Sequence, residues 1–231
     1  MPASGPTEKQ PAAPSPRGGE ENRRRAMAGV QAIFDRYKLV QARVGPAFDN
    51  ATMQNCEVLD ASLGPPHDDD TGVPRVGNGT RARPTPPDAG VKASCTTRLF
   101  IGAELGNYNG VMHGGAAGVI FDMLTTIALG PVARPGFWSF FGGVTRTLNI
   151  SYLKAVPIGT TVIIYSYVYQ VGRQTAYIKG WMTSEDGRTI YAVCDHHKIH
   201  VPTSAEHMKL KVPWDEQWDE EGKEKKTASK L

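Results

Sequence analysis

The sequence predicts an α+β fold in which one long central helix is wrapped by a curved antiparallel sheet. Three observations carry that prediction. A nearly unbroken apolar stretch of helix length, Gly114 to Leu129, follows the polar loop Asn107-Tyr-Asn-Gly-Val-Met-His113 and holds a single carboxylate, Asp122. Four strand candidates follow it, at about residues 143–153, 160–171, 175–184 and 188–201; aromatic and β-branched residues dominate the middle two, and Glu185-Asp-Gly-Arg is a hairpin signal. A helix apolar on every side must be enclosed by protein, and the available enclosing material is the strands on either side of it in sequence.

In chain order, residues 1–21 are rich in Pro, Ala and Gly and read as a disordered tail, because they cannot bury enough apolar surface to offset ordering entropy. From Asn22 to Val40 the residues Met27, Val30, Ile33, Phe34 and Tyr37 recur at three and four, the period of an amphipathic helix. Arg23 to Arg25 at its start read as a solvated helix face. A first strand is expected over Met53 to Leu63 and a second over Lys92 to Leu105. Between them, residues 64–90 are crowded with Pro, Gly and Asp and read as a long surface insertion, a loop rather than a lid. After the central helix, Pro131 to Gly136 has turn chemistry, and the four later strands form an antiparallel meander. The body is thus residues 22–202, and 203–231 a C-terminal tail in which Trp214 and Trp218, four apart after Pro213, suggest a short helix docking its aromatics on the body.

The 231 residues, 40% of them hydrophobic, are enough for one sizeable domain and its tails. With 26 basic against 23 acidic residues the net charge is only +3, which argues against a nucleic-acid partner. Cys56, Cys95 and Cys194 are far apart, odd in number and without metal spacing, as expected of thiols in a reducing compartment. The run around Asp122 is long enough to raise a membrane span, but the internal charge, the lack of flanking basic residues and the strands that follow argue against one. Nothing at the N-terminus reads as a secretory or organelle leader. The chain ends in Ser229-Lys230-Leu231 on a lysine-rich segment, the address read by the peroxisomal import receptor, so the expected location is the peroxisome, with the cytoplasm as the alternative.

The chemistry centres on the helix. Gly114 and Gly115 follow His113 where the first backbone N–H groups have no partner inside the helix and the macrodipole is positive, so a carbonyl oxygen placed there is polarised as in an oxyanion hole. Asp122 lies eight positions on, roughly 12 Å along the helix. It is too far to serve a carbonyl at its own helix start. Two antiparallel copies of the helix across a two-fold axis would set Asp122 of one against the Gly114 end of the other. Thr145, Thr147, Asn149 and Ser151 alternate onto one face of a strand taken as central, a polar face that suggests a site or a wet interface.

Asn107, His113-Gly114-Gly115, Asp122, the strand Gly143-Val-Thr145-Arg-Thr-Leu-Asn149-Ile-Ser-Tyr152-Leu and Gly159 together resemble the hotdog-fold acyl-CoA thioesterases of the phenylacetate-type and thioesterase superfamily member 2 group. The resemblance covers roughly Arg25 to Pro202 and is weak before Lys92. It implies five or six strands around the helix, a dimer with a shared site, usually doubled to a homotetramer, and acyl-CoA hydrolysis with neither cofactor nor metal. It gives Asp122 the part of catalytic carboxylate, as general base or nucleophile. Asn107 becomes the amide that orients water or thioester, Gly114 the oxyanion donor with Gly115 beside it, and His113 the residue that shapes the turn. Thr145 stands where close relatives carry serine, keeping the hydroxyl and adding a methyl. The insertion at 64–90 is a second departure. Tyr152, Lys154, Arg173 and His196 match or lie near rim positions that contact CoA. His196, His197 and His200 do not make a metal set, because alternation sends His197 to the opposite face and no cysteine or carboxylate completes it.

Two alternatives share this fold. An enoyl-CoA hydratase would pair Asp122 with a nearby histidine, and no histidine follows Asp122 at helical reach. A non-catalytic acyl-CoA-binding protein would keep the fold without turnover.

Overall fold

The computed structural model describes residues 16–66, 75–76, 80–81 and 90–218. Residues 1–15, most of the 64–90 insertion and the Ser229-Lys230-Leu231 terminus lie outside the described residues. Helix α1 spans Pro16–Val44 and α2 spans Asn50–Asn55; strand β1 is Glu57–Ser62. Within the insertion, β2 (Arg75–Val76) and β3 (Thr80–Arg81) pair as a short antiparallel ladder. Then come β4 (Ala93–Ile101), α3 (Gly114–Thr126), α4 (Ser139–Gly142), β5 (Val144–Tyr152), β6 (Thr160–Val171), β7 (Thr175–Ser184), β8 (Ile190–Ile199) and α5 (Ala205–Met208). Residues 213–218 are helical as well.

Six strands form one antiparallel sheet in the order β1-β4-β6-β7-β8-β5, and α3 lies across it. The expected α+β architecture is therefore present. Strand β6 shows why the sheet holds the helix: Val162, Ile164 and Val168 face α3, while Ile163, Tyr165 and Tyr167 belong to a second cluster on the other face. All six are buried, so this strand reads as a continuous apolar run. On the helix side Ser166 donates to the Leu124 carbonyl at 3.0 Å. Gly180 of β7 brings sheet and helix closest, since a Cβ there would stand 2.9 Å from both Phe121 Cδ1 and Thr125 Cγ2.

Beyond Thr126 the helix tightens into a 3-10 stretch, Ile127–Val132, that accommodates Pro131. The run Gly114–Val132 is long and apolar enough to cross a membrane, and 61% of its apolar window is buried inside the fold. Helix α1 packs on that 3-10 stretch through a glycine pair: a Cβ on Gly29 would meet the Gly130 carbonyl oxygen at 2.5 Å. Ala26, Val30 and Ile33, at helical spacing, are buried along the same face.

Several expectations are corrected. The N-terminal helix begins at Pro16, six residues inside the stretch read as a tail. Arg23 and Arg25 are not a solvated face. Arg23 Nε pairs with Asp60 at 3.0 Å, and the Arg25 guanidinium stands 5.0 Å from the Trp218 ring centroid. The first strand starts only at Glu57, because Asn50–Asn55 close a helical turn before it. The last four strands are not a simple meander: β6, β7 and β8 are, but β5 crosses to the far edge and pairs only with β8. Residues 203–218 belong to the body rather than to a tail. Trp214 is buried and donates from Nε1 to the Ala133 carbonyl at 3.1 Å, Asp215 pairs with buried Arg36 at 2.6 Å, and Trp214 and Trp218 meet edge to face at 5.8 Å.

Candidate active site

Two polar clusters flank α3. The first gathers at the helix start, where a tight loop folds back so that the His113 N–H bonds the Leu105 carbonyl and the Asn107 N–H bonds the Val111 carbonyl, both at 2.8 Å. Within it Asn107 Oδ1 accepts from the Asn109 N–H at 2.8 Å, which fixes the amide and leaves its NH2 group as the donor for a ligand. His113 is the N-cap: its Nδ1 accepts from the Gly115 N–H at 2.9 Å, so the ring proton of the neutral form sits on Nε2. That bond consumes the Gly115 donor. Gly115 therefore cannot bind substrate through its N–H as the sequence suggested, and Gly114 is the oxyanion donor candidate at this end. Tyr152 donates to the Gly114 carbonyl at 2.7 Å, tying the end of β5 to the helix, and Lys154 lines the hollow beside them.

The second cluster surrounds Asp122. Its carboxylate lies on an uncovered stripe of α3 with Gly115, Gly118 and Val119, and its side chain is 42% exposed, so it is not the buried charge that the apolar sequence suggested. Thr145 donates to Asp122 Oδ1 at 2.6 Å, and His196 Nε2 approaches Thr145 Oγ1 at 2.9 Å and Asp122 Oδ1 at 3.5 Å. The opposite ring nitrogen, Nδ1, meets Thr125 Oγ1 at 2.6 Å. Thr125 also faces the Phe121 carbonyl and Thr145 also faces Asp122, so the one N–H of the neutral ring goes to one hydroxyl while the other ring nitrogen accepts from the second. Beneath them Lys198 Nζ donates to Thr126 Oγ1 at 2.9 Å and to Thr145 Oγ1 at 3.4 Å.

Burial sets the electrostatics of this cluster. His196 is fully enclosed, and burial, reinforced by positive Lys198 and opposed by negative Asp122, pushes its pKa down to about 4. The imidazole is neutral at pH 7. Burial lowers the Lys198 pKa to about 8, again against the pull of Asp122, so its ammonium remains charged at neutral pH.

This geometry changes the sequence-level picture in three places. His196 is not a rim contact for CoA; it lies wholly beneath Thr145 and Asp122. Thr145 does not share a face with Thr147, Asn149 and Ser151: the pairing shifts register between Thr145 and Thr147, so Thr145 opposes buried Lys198 while Thr147 opposes exposed His197. Arg173 and Lys154 do not form one basic rim within a chain. Arg173 precedes Thr175, which pairs at Ile199 beside Val144, while Lys154 follows Tyr152 at the other end of β5, about 25 Å away by strand rise. Sequence reasoning also missed Lys198 altogether and placed no histidine near Asp122, since both partners come from β8. The inward face of β8 held the available signal: Ala192 and Cys194 are followed on it by His196 and Lys198.

The thioesterase superfamily family model matches residues 109–191, the stretch from the polar loop through β5, β6 and β7. Among solved structures the chain is similar to thioesterase superfamily member 2 from zebra fish, at 21% identity over 70% of this chain and 93% of that one, with a TM-score of 0.48. It is similar to thioesterase superfamily member 2 from Mus musculus at 17% identity over 70% and 92%, with a TM-score of 0.48. A hypothetical thioesterase with coenzyme A from Streptococcus pneumoniae TIGR4 matches at 21% identity over 48% and 84%, with a TM-score of 0.41. A search of curated proteins finds no match. The fold is a hotdog, one long helix against a six-stranded antiparallel sheet. The part of the chain that resembles the thioesterase superfamily is thus residues 109–191, the stretch that holds α3, Asp122 and Thr145.

Proposed function

We propose that the protein hydrolyses acyl-CoA thioesters to free acid and CoA, as a homodimer or dimer of dimers whose active site is shared between subunits. The observation that carries this reading is the exposed stripe of α3, which presents Asp122, bonded to Thr145, eight residues from the free donor end at Gly114. Small residues on that stripe let a second helix approach closely, and a two-fold axis sets Asp122 of one subunit against Gly114 of the partner subunit. The thioester carbonyl then accepts from the Gly114 N–H while Asp122 acts as general base on a water held by the Thr145 hydroxyl. Attack forms the C–O bond, the developing oxyanion is met by the helix N-terminus, and collapse expels the CoA thiolate. Asn107 donates to the substrate from the Gly114 side. If the carboxylate instead attacks the carbonyl directly, the intermediate is an anhydride, and a single turnover in 18O-labelled water puts label into Asp122 only on that route.

Hydration of an enoyl-CoA is the second reading, and the Asp122–His196 approach is the observation that raises it. The enclosed ring has no access to a substrate, which favours hydrolysis. A thiol-release assay over a panel of acyl-CoAs, beside a hydration assay on enoyl-CoA, tests both. Release of free CoA that drops by two or more orders of magnitude in Asp122→Asn, with the fold intact, is the expected result. Retained turnover in that variant, or hydration without thiol release, contradicts the proposal. Stoichiometric binding with no release across the panel would favour the acyl-CoA-binding alternative. The proposed location is the peroxisome, through Ser229, Lys230 and Leu231; removing these three residues should return a fluorescently tagged protein to the cytoplasm, and unchanged peroxisomal targeting would contradict the assignment.

A further inference from the structure

A cavity of about 420 Å3 opens beside Asp122 between the last turns of α1 and the start of β5. Its walls include Val40 and Val44 of α1, Met123 of α3, and Phe141 and Val144; Asp122, Thr145 and Lys198 stand along its polar side. A shallower hollow on the exposed stripe of α3 shares Asp49, Asp122, Met123 and Thr145 with it, so the two are continuous across the carboxylate. The polar groups on the α1 side are spent on one another: Tyr37 donates to Asp49 at 2.6 Å, and Gln41 donates to Asn50. These bonds fix α1 to the start of α2 and leave the walls facing the cavity mainly apolar.

We infer that this cavity receives the acyl chain, and that α1, which lies outside the family-matched stretch 109–191, sets how long a chain the enzyme accepts. The inference rests on the proposed thioesterase reading. A thioester whose carbonyl stands between Asp122 and the partner subunit's Gly114 sends its CoA arm out along the boundary between the subunits and its acyl arm between α1 and β5. The volume holds on the order of a dozen methylene groups at roughly 30 Å3 each, the space a water takes in the liquid. The preferred substrates are therefore straight medium-chain acyl-CoAs.

The test measures kcat/KM for acetyl-, hexanoyl-, octanoyl-, dodecanoyl- and hexadecanoyl-CoA with wild type, Val40→Trp and Val40→Ala. In the wild type kcat/KM should rise by up to roughly fourfold per added methylene until the cavity is filled, then fall for hexadecanoyl-CoA, whose chain exceeds it. Val40→Trp should keep acetyl-CoA turnover within about twofold of wild type and lose at least tenfold on dodecanoyl-CoA, because the indole fills the chain's space. Val40→Ala should move the optimum to longer chains. A chain-length profile that Val40→Ala leaves unmoved, or that a folded Val40→Trp leaves unmoved, overturns the cavity assignment while the thioesterase reading stands. Absence of thiol release from every ester by the wild type overturns both.

Discussion

Replacing His196 with asparagine tests the buried half of the site through stability rather than activity. The ring is wholly enclosed, and its pKa falls from the ordinary 6.5 to about 4. Between those two pH values the unfolded chain takes up a proton that the folded chain refuses, so folding stability falls as the pH drops through this window. A gap from 6.5 to about 4 corresponds to a loss of up to about 3 kcal/mol, a substantial part of the net stability of a typical domain. An asparagine amide can reach Thr125 as Nδ1 does, but it takes up no proton. The variant should be less stable than wild type at pH 7 by about 1–3 kcal/mol, from the lost Thr145 contact and the smaller side chain. Its deficit should then shrink as the pH falls, because wild type alone loses stability through this ring. Asp122 and Lys198, the charged groups that face it, remain in both proteins. Urea unfolding at fixed protein concentration and at pH values from about 7 down to about 4.5 measures the difference. A deficit that stays constant with pH would refute the assignment of His196 as a neutral buried base.

Two further outcomes follow from the same geometry. Lys198→Met removes a buried ammonium whose pKa lies at about 8, below the 10.5 of the unfolded chain, so the wild type gains stability as pH rises from about 8 to 10.5 while the variant loses that slope. At pH 7 the methionine variant should melt no lower than wild type, since a well-packed apolar replacement relieves the cost of the buried charge, yet release thiol at least about tenfold more slowly; full activity would remove Lys198 from the site. Gly29→Ala should lower stability by about 1–3 kcal/mol, read as a fall of several degrees in melting temperature, because its methyl would meet the Gly130 carbonyl oxygen at 2.5 Å; an unchanged melting temperature would mean that α1 and the 3-10 stretch separate without cost.

The elements that periodicity marks were legible in the sequence. The apolar run betrayed α3, β-branched and aromatic runs gave β6 and β7 their bounds, and three-and-four spacing revealed α1. Asp122 stood out because one charge interrupts an apolar helix. What surrounds it was hidden, because the partners of a side chain are set by tertiary register. Lys198 lies 72 positions from Thr126, which accepts its hydrogen bond, and nothing local to either residue announces the contact. The polar face assigned to β5 failed for a related reason. Strict alternation holds only for an unbroken ladder, and the register shift after Thr145 turns that hydroxyl inward while Thr147 stays outward. The edge position of β5 was equally invisible, since consecutive strands need not be neighbours. The closing segment was legible in part: Trp214 and Trp218, four apart after Pro213, announced a helix that docks on the body, while the Asp215–Arg36 pair that fastens it to α1 was hidden by 179 positions of separation.

The central claim is that one active site is built from two subunits, and complementation between two inactive proteins tests it most directly. Asp122→Asn removes the carboxylate. Gly114→Pro removes the helix-start N–H at a position where proline suits a first helical turn, after His113 in an extended conformation with ψ 138°. Each variant alone should be inactive. Unfolded together and reassembled, half of the dimers carry one subunit of each kind and hold one intact site of two, so thiol release should return to roughly a quarter of the wild-type rate. A mixture that stays as inactive as its components would contradict the shared site.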